Sequence, residues 1–363
     1  VAVIGYIAFT FLVLRFTVAI VNSIFSPVIK RRTTPGRPLV SVLIPARNEE
    51  NNISNILNDL KNQSYRNIEI IVFNDQSTDR TKELTTNFIK SDERFRLIDS
   101  EGLPPEWLGK SYACHQLAHN AKGEWMLFLD ADVRVKSGLI ESALSEMKLY
   151  GLKLLSIFPK QIMVSTGEKV TVPVMNSILL SLLPMILTRR SRYPSLAAAN
   201  GQFMMFEKNT YMILEPHEAV KKFQTEDIAI ARLYKTKQQK MECLTGDDTI
   251  RCRMYRNISD AVEGFSRSVA QFFGGSHLLA LLYWIMGTFG IFAVIFTLSP
   301  IFILVTCLLI IGIKISVSHT SRQSSVQNII YAIPQQIILG WIIFVSVKNK
   351  IFKKGQWKGR NIG

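Results

Sequence analysis

Apolar and polar positions divide the chain into three regimes. Residues 1–25 are nearly all apolar, with Arg15 the only charge. From about residue 38 to 270, short apolar runs alternate with stretches in which apolar residues recur every three or four positions. Residues 278–347 are again almost wholly apolar, with charge confined to Lys314, Arg322 and a few polar neighbours. Within the middle regime, residues 39–44 (LVSVLI) read as a buried strand closed by Pro45, and residues 48–60 place apolar side chains at 53, 56, 57 and 60, a helix period. Residues 68–73 predict a second strand. Thr78 and Asp79 predict the cap of a following helix with Leu84 and Phe88 on its inner face. Residues 96–98 predict a third strand, 111–121 a helix and 125–129 a fourth strand. Strands alternating with helices of this length predict an α/β domain with a mostly parallel sheet. Further on, residues 200–206 fit a strand, with Gly201 permitting close approach. Residues 172–187 (VPVMNSILLSLLPMIL) hold two prolines and predict an interfacial helix rather than a membrane span.

The flanking regimes change the picture from a soluble domain to a membrane-attached one. A helix needs about 20 apolar residues to cross a bilayer core. Residues 1–25, 278–299, 300–317 and 329–347 meet that need, the last two near its lower limit. The first run reads as an anchor rather than a cleaved leader, because Lys30, Arg31 and Arg32 follow it instead of preceding it. Basic residues favour the cytoplasmic side. Lys30, Arg31, Arg32 and Arg37 therefore place the domain (39–270) inside, at the cell membrane, in a multi-pass chain. The basic tail (348–363) also asks to be inside, which three full crossings after an inside domain forbid. The Pro334-Gln335-Gln336 sequence suits a broken or re-entrant last segment.

Composition then narrows the partners. The 363 residues carry a formal net charge of +15. The basic residues cluster beside the apolar segments, so an anionic membrane surface explains the excess better than nucleic acid does. Cys114, Cys243, Cys252 and Cys307 form no CxxC pair, which argues for reduced thiols and no structural zinc. His115 and His119 stand four apart without a third ligand and read as ordinary helix positions.

Candidate chemistry collects where strands end. Ligands of such sheets bind beyond the carboxyl ends of the strands. Past the first strand comes Pro45-Ala-Arg-Asn-Glu49, past the second Asn74-Asp75-Gln-Ser-Thr-Asp79, and past the fourth Asp130-Ala-Asp132. Like charges on one rim repel unless a cation sits among them. Mg²⁺ or Mn²⁺ takes oxygen ligands and leaves room for phosphates. Asp132, with Asp130 acting through water, is the expected ligand.

These segments in this order resemble the family-2 glycosyltransferases of GT-A fold. The likeness rests on Val42-Leu-Ile-Pro-Ala-Arg-Asn-Glu49, Phe73-Asn-Asp-Gln-Ser-Thr-Asp79, Gly109-Lys110-Ser, Asp130-Ala-Asp132 and Thr225-Glu226-Asp227. Arg253-Met-Tyr-Arg256, Glu263-Gly-Phe-Ser and Trp357-Lys-Gly-Arg360 add a likeness to membrane-bound bacterial members that glycosylate lipids, including carotenoid enzymes of diaponeurosporenoate type. The resemblance implies a Rossmann-like, mostly parallel sheet between transmembrane helices, and inverting transfer of one sugar from a nucleotide donor, by default a UDP-sugar, to a lipid or carotenoid acceptor. It implies that Pro45, Arg47 and Glu49 line the nucleotide pocket and that Asp75 accepts from the uracil ring. Lys110 would reach the diphosphate or the base, Asp132 would bind the metal, and Asp227 would act as general base. Some residues have plainer readings. Asp75 also fits a helix-start carboxylate, Lys110 a solvated loop lysine, and Asp227 a helix cap. Arg253 and Arg256 fit either diphosphate or lipid headgroups. The Gln-x-x-Arg-Trp motif of many processive polysaccharide synthases is missing, which disfavours that alternative. A non-catalytic sugar-nucleotide sensor is disfavoured by the intact set of Asp75, Asp132 and Asp227.

Overall fold

In a computed structural model, residues 2–25, 27–352, 356–357 and 360–361 are described. The chain opens with helix α1 (Ala2–Phe25), then enters the α/β domain: β1 (Val40–Ala46), α2 (Ile53–Lys61), β2 (Ile68–Asn74), α3 (Thr81–Ile89), β3 (Phe95–Asp99), α4 (Gly109–Asn120), β4 (Trp125–Leu129), β5 (Val133–Val135), α5 (Leu139–Tyr150), β6 (Leu154–Phe158) and β7 (Lys160–Gln161). Then follow α6 (Thr166–Leu182), α7 (Leu187–Arg190), β8 (Phe203–Glu207), α8 (Lys208–Leu214), α9 (Pro216–Ala219), α10 (Glu226–Thr236), β9 (Met241–Thr245), β10 (Ile250–Cys252) and α11 (Ile258–Ser268). The second apolar regime forms α12 (His277–Thr297), α13 (Pro300–Thr320), α14 (Ser325–Ile330) and α15 (Ala332–Ile351).

Seven strands make the main sheet in the order β3-β2-β1-β4-β8-β6-β9. The first four are mutually parallel, while β8 runs antiparallel between β4 and β6. Successive side chains of β1 and β2 enter opposite cores: Val42, Ile44, Ile70 and Val72 face one layer, and Leu43, Ile71 and Phe73 the other. Burial on both faces is what turns these strands into continuous apolar runs instead of alternating ones. Ile53, Ile56, Leu57 and Leu60 of α2 are fully buried, as their spacing predicts.

Three expectations are corrected. Helix α3 takes Arg80 as its N-cap, and Asp79 accepts from the Thr81 amide at 3.0 Å, so the capping carboxylate sits just outside the helix rather than at its boundary. Lys110 is not in a loop: α4 begins at Gly109 and Lys110 lies in its first turn. The last apolar segment is interrupted at Tyr331, between α14 and α15, not at Pro334-Gln335-Gln336. Pro334 falls in the first turn of α15, where its missing N–H costs no helix bond.

Helices α1, α12 and α13 are each long and apolar enough to cross a membrane. Helix α12 leaves the domain at His277 and α13 returns, with Gly5 of α1 against Thr297 at the far end and Ser23 against His319 at 3.1 Å at the near end. Helix α15 runs beside only the domain-side half of α12. Gln336 contacts Thr288 at one end and Ser346 meets His277 at the other, at 3.4 and 3.1 Å. Helix α6 starts with a capping box between Ser165 and Glu168, carries Pro173 inside, and ends before Pro184. It packs against α1, α13 and α15 as well as α11, which couples the domain to the bundle. In the basic tail, Lys353, Lys354 and Lys358 lie outside the described residues.

Candidate active site

Sheet topology decides which loops meet. Because β1, β2 and β4 are parallel neighbours, their carboxyl ends open on one edge. The loops after β1 and β2 are sewn together: the Asp75 amide donates to the Ala46 carbonyl at 2.8 Å, and the Arg47 guanidinium donates to the Asp75 carbonyl at 2.7 Å. Asn48 and Gln76 both take left-handed backbone (φ 51° and 52°) to make these turns, a conformation that asparagine tolerates and glutamine adopts only at a cost. The result is a cavity of about 150 Å³ lined by Pro45, Arg47, Glu49, Asp75, Lys110, Asp130 and Asp132. Every residue expected from the sequence to bind nucleotide or metal lines this one cavity. Asp75 is 2% exposed at its floor.

Asp130 and Asp132 lie in the tight turn between β4 and β5. Burial, then the charges of Asp130 and Glu49, push the Asp132 carboxyl up to about 7. Its Oδ1 is buried and without a hydrogen-bond partner among the described residues. An acceptor-only group in that position fits a cation. No cluster of three or more His, Cys, Asp and Glu side chains able to hold a metal forms among the described residues. A Mg²⁺ or Mn²⁺ ion at this turn would therefore have to complete its shell from water and substrate phosphate. Asp132 would be the direct ligand.

Lys110 joins this cavity to a second. Its ammonium lies 2.8 Å from Asp130 and 3.2 Å from Glu226. Burial works against the charge of Lys110, yet the two carboxylates outweigh it and hold its pKa well above the usual lysine range. The second cavity, about 290 Å³, is lined by Lys110, Asp130, Gly201, Glu226, Asp227, Tyr255 and Arg267 among others. Asp227, in the first turn of α10, accepts from the Gly201 amide at 3.0 Å and from the Ile228 amide at 2.8 Å. Burial first, then the Glu226 charge, push Asp227 up to about 7, against the pull of Lys110 and those two amides. A carboxylate so poised can exchange a proton near neutral pH. A Cβ at Gly201 would stand 2.9 Å from the Lys110 ammonium and 3.3 Å from Glu226, so a side chain there would displace the lysine.

The structure parts Arg253 and Arg256 from this centre. Neither lines either cavity. Arg253 pairs at 2.6 Å with Glu168, the fully buried carboxylate of the α6 capping box. Arg267 from α11 lines the larger cavity instead. Glu226 and Tyr255 lay inside the motifs Thr225-Glu226-Asp227 and Arg253-Met-Tyr-Arg256 but were given no role, and Arg267 stood in no motif. All three are brought to the cavity by packing.

The comparisons with known proteins agree with this geometry. Residues 41–212 match the model of glycosyl transferase family 2. Over that segment the chain is similar to family-2 glycosyltransferases. It is 25% identical over 272 residues to a 4,4'-diaponeurosporenoate glycosyltransferase of Staphylococcus haemolyticus, an alignment covering 71% of this chain and 69% of that one. The Staphylococcus aureus enzyme of the same name is 25% identical over 257 residues, covering 69% of this chain and 66% of the relative. The chain thus spans about two thirds of the length of the relatives it matches. A mannosyltransferase from Pyrobaculum calidifontis, solved with GDP-Man and Mn²⁺, shares the fold with a TM-score of 0.55 at 14% identity, over 97% of this chain and 100% of that one. The glycosyltransferase domain is therefore of the GT-A type that the motifs suggest, set between apolar helices.

Proposed function

We propose that this chain transfers one sugar, with inversion, from a nucleoside-diphosphate donor to an apolar acceptor at a membrane surface. The observation that carries this reading is the meeting of two cavities at Lys110 and Asp130. One is rimmed by the Asp75–Asp132 carboxylates, and the other holds Asp227. The donor's base and ribose occupy the smaller cavity, where Asp75 accepts from ring N–H groups, with uracil the default. A divalent ion at Asp132 would neutralise charge on the departing diphosphate. Lys110, fixed by Asp130 and Glu226, lies where it can add positive charge on the same side.

An acceptor oxygen in the larger cavity attacks the anomeric carbon as the bond to the diphosphate oxygen breaks. The electron pair leaves with the nucleoside diphosphate. For a hydroxyl acceptor, the proton passes to Asp227, which must be ionised first. For a carboxylic acid acceptor, as the relatives' name suggests, the oxygen is already ionised near neutral pH, and Asp227 orients rather than deprotonates.

The domain faces the cytoplasm in this reading. Helices α12 and α13 cross out and back, and α15 enters only the near half of the bundle. Lys348 and Lys350, at the end of α15, then share the domain's side, which eases the conflict in the charge pattern. The test is to incubate membranes holding the protein with labelled UDP-sugar and Mn²⁺ and extract with organic solvent. Label in one lipid-soluble product supports the proposal. Label in a long water-soluble polymer, or UDP binding without turnover, would overturn it.

A further inference from the structure

Resting on that reading, we propose that a linear apolar chain of the acceptor is held in a side pocket between α6 and the segment 195–199, opening off the catalytic cavity. A third cavity, about 130 Å³, lies there. It shares Phe158, Ala199, Ile228 and Phe272 with the cavity that holds Asp227, so the two adjoin across these side chains. Ile228 follows Asp227 directly. A chain seated in the side pocket therefore starts next to the proposed base.

The wall is built for an apolar occupant. One side is Leu179, Leu182 and Leu183 of α6, and the other is the run Ala197-Ala198-Ala199. Three consecutive alanines present only methyl groups, which leaves width for a flat or straight chain. The polar side chains of the wall are few. Arg232 donates to Gln271, at 3.3 Å to the side chain and 3.0 Å to the carbonyl, which engages two of its N–H groups. The leucine and alanine side of this wall would gain from burying hydrocarbon.

The pocket also points to where the occupant comes from. Ala198, Leu179 and Leu183 belong to the same packed cluster as Leu12 and Ala19 of α1 and Ile313 and Val317 of α13. That cluster joins the domain to the helices able to cross a membrane. Leu182, on the rim, remains 37% exposed. An acceptor can thus slide from the bilayer past α6 with its reactive end leading toward Asp227.

The test uses the full chain in phospholipid nanodiscs and a straight sixteen-carbon alcohol bearing a mid-chain diazirine, photolysed in the presence of UDP and Mn²⁺. Mass spectrometry should find label on 179–183 and 197–199. Ala198→Phe should cut that label by about fivefold by filling the pocket. Leu182→Gln, at an exposed site that the fold tolerates, should cut it less but measurably. UDP affinity and label on the outward faces of α12 and α13 should not change. Label confined to those outward faces, or pocket label undiminished in both variants, would overturn the proposal while leaving UDP binding intact. Loss of UDP binding in the unmodified chain would instead count against the transferase reading, whatever the label shows.

Discussion

Two regions of this protein bury polar groups in apolar surroundings, and they treat them in opposite ways. In the helical bundle the cations Arg15 and Lys314 find neutral partners. Arg15 donates to Ser181 at 3.2 Å and lies over the rings of Phe11 and Tyr283. Lys314 donates to Gln335 at 2.6 Å, and the Gln335 amide donates in turn to the Lys169 carbonyl and to Asn328. At the sheet rim, carboxylates crowd one another, Asp132 keeps an orphan oxygen, and both Asp132 and Asp227 are pushed up to about 7. The bundle's network holds helices in register, and helix–helix hydrogen bonds of this kind contribute modestly each. The rim holds charge out of balance, which stabilises nothing until a donor and a cation arrive. Frustration of that sort marks a working site more reliably than burial does.

That contrast can be broken in graded steps. The largest effect is expected from Asp132→Ala, which should lower sugar transfer by about 10³-fold in a radiolabel assay while leaving the melting temperature in chelator unchanged or higher. Chelation of unmodified enzyme should mimic it. Asp227→Asn should lower turnover with a hydroxyl acceptor by about 10²-fold yet leave UDP affinity, measured by calorimetry, within error.

Proton linkage gives a sharper comparison. A carboxyl raised to about 7 in the folded state but near 3.9 unfolded binds more protons when folded, so stability falls as pH rises from about 4 to 7. Asp227→Asn should therefore lessen the loss of melting temperature between pH 5 and 8, by about 3 °C. Its catalytic counterpart is an acid limb near pH 7 for kcat/KM with a hydroxyl acceptor. A carboxylate acceptor should show no such limb until about pH 5, where its own ionisation fails.

Smaller effects follow at the edges. Gly201→Ala adds a methyl 2.9 Å from the Lys110 ammonium, the far end of a flexible side chain, so the lysine should shift and transfer should fall about tenfold without unfolding. In the bundle, Gln335→Leu removes the acceptor of Lys314 and should cost about 1–3 kcal/mol of stability, read by thermal melting in detergent. Transfer per folded molecule should change least of all. An effect on kcat as large as that of Gly201→Ala would erase the distinction between the two regions.

Much of this was legible before any coordinates. Strands β1, β2 and β4 of the parallel half were placed from apolar runs, because burial on both faces leaves an unbroken signature, whereas β3 at the sheet edge showed only a short run. The rim residues Pro45, Arg47, Glu49, Asp75, Lys110, Asp130 and Asp132 were nominated from strand ends and motifs, and they line one cavity. Arg253 shows where such reasoning stops. Its charge and position suggested phosphate or lipid, but its partner, Glu168, lies far back in the chain and is itself buried. Glu226 was given no role, and Arg267 was overlooked, for the same reason. Their roles depend on which surfaces α10 and α11 present to the cleft, and no local pattern encodes that.

The sequence alone determined the alternation of elements, the apolar flanks and the types of chemical group at the strand ends, since these follow from short-range periodicity and side-chain chemistry. Tertiary structure alone decided that Lys110 bridges Asp130 and Glu226, that Gly201 backs onto the Lys110 ammonium, and that α15 reaches only half the bundle. Those outcomes depend on distances between residues remote in the chain, which packing sets and local preference does not.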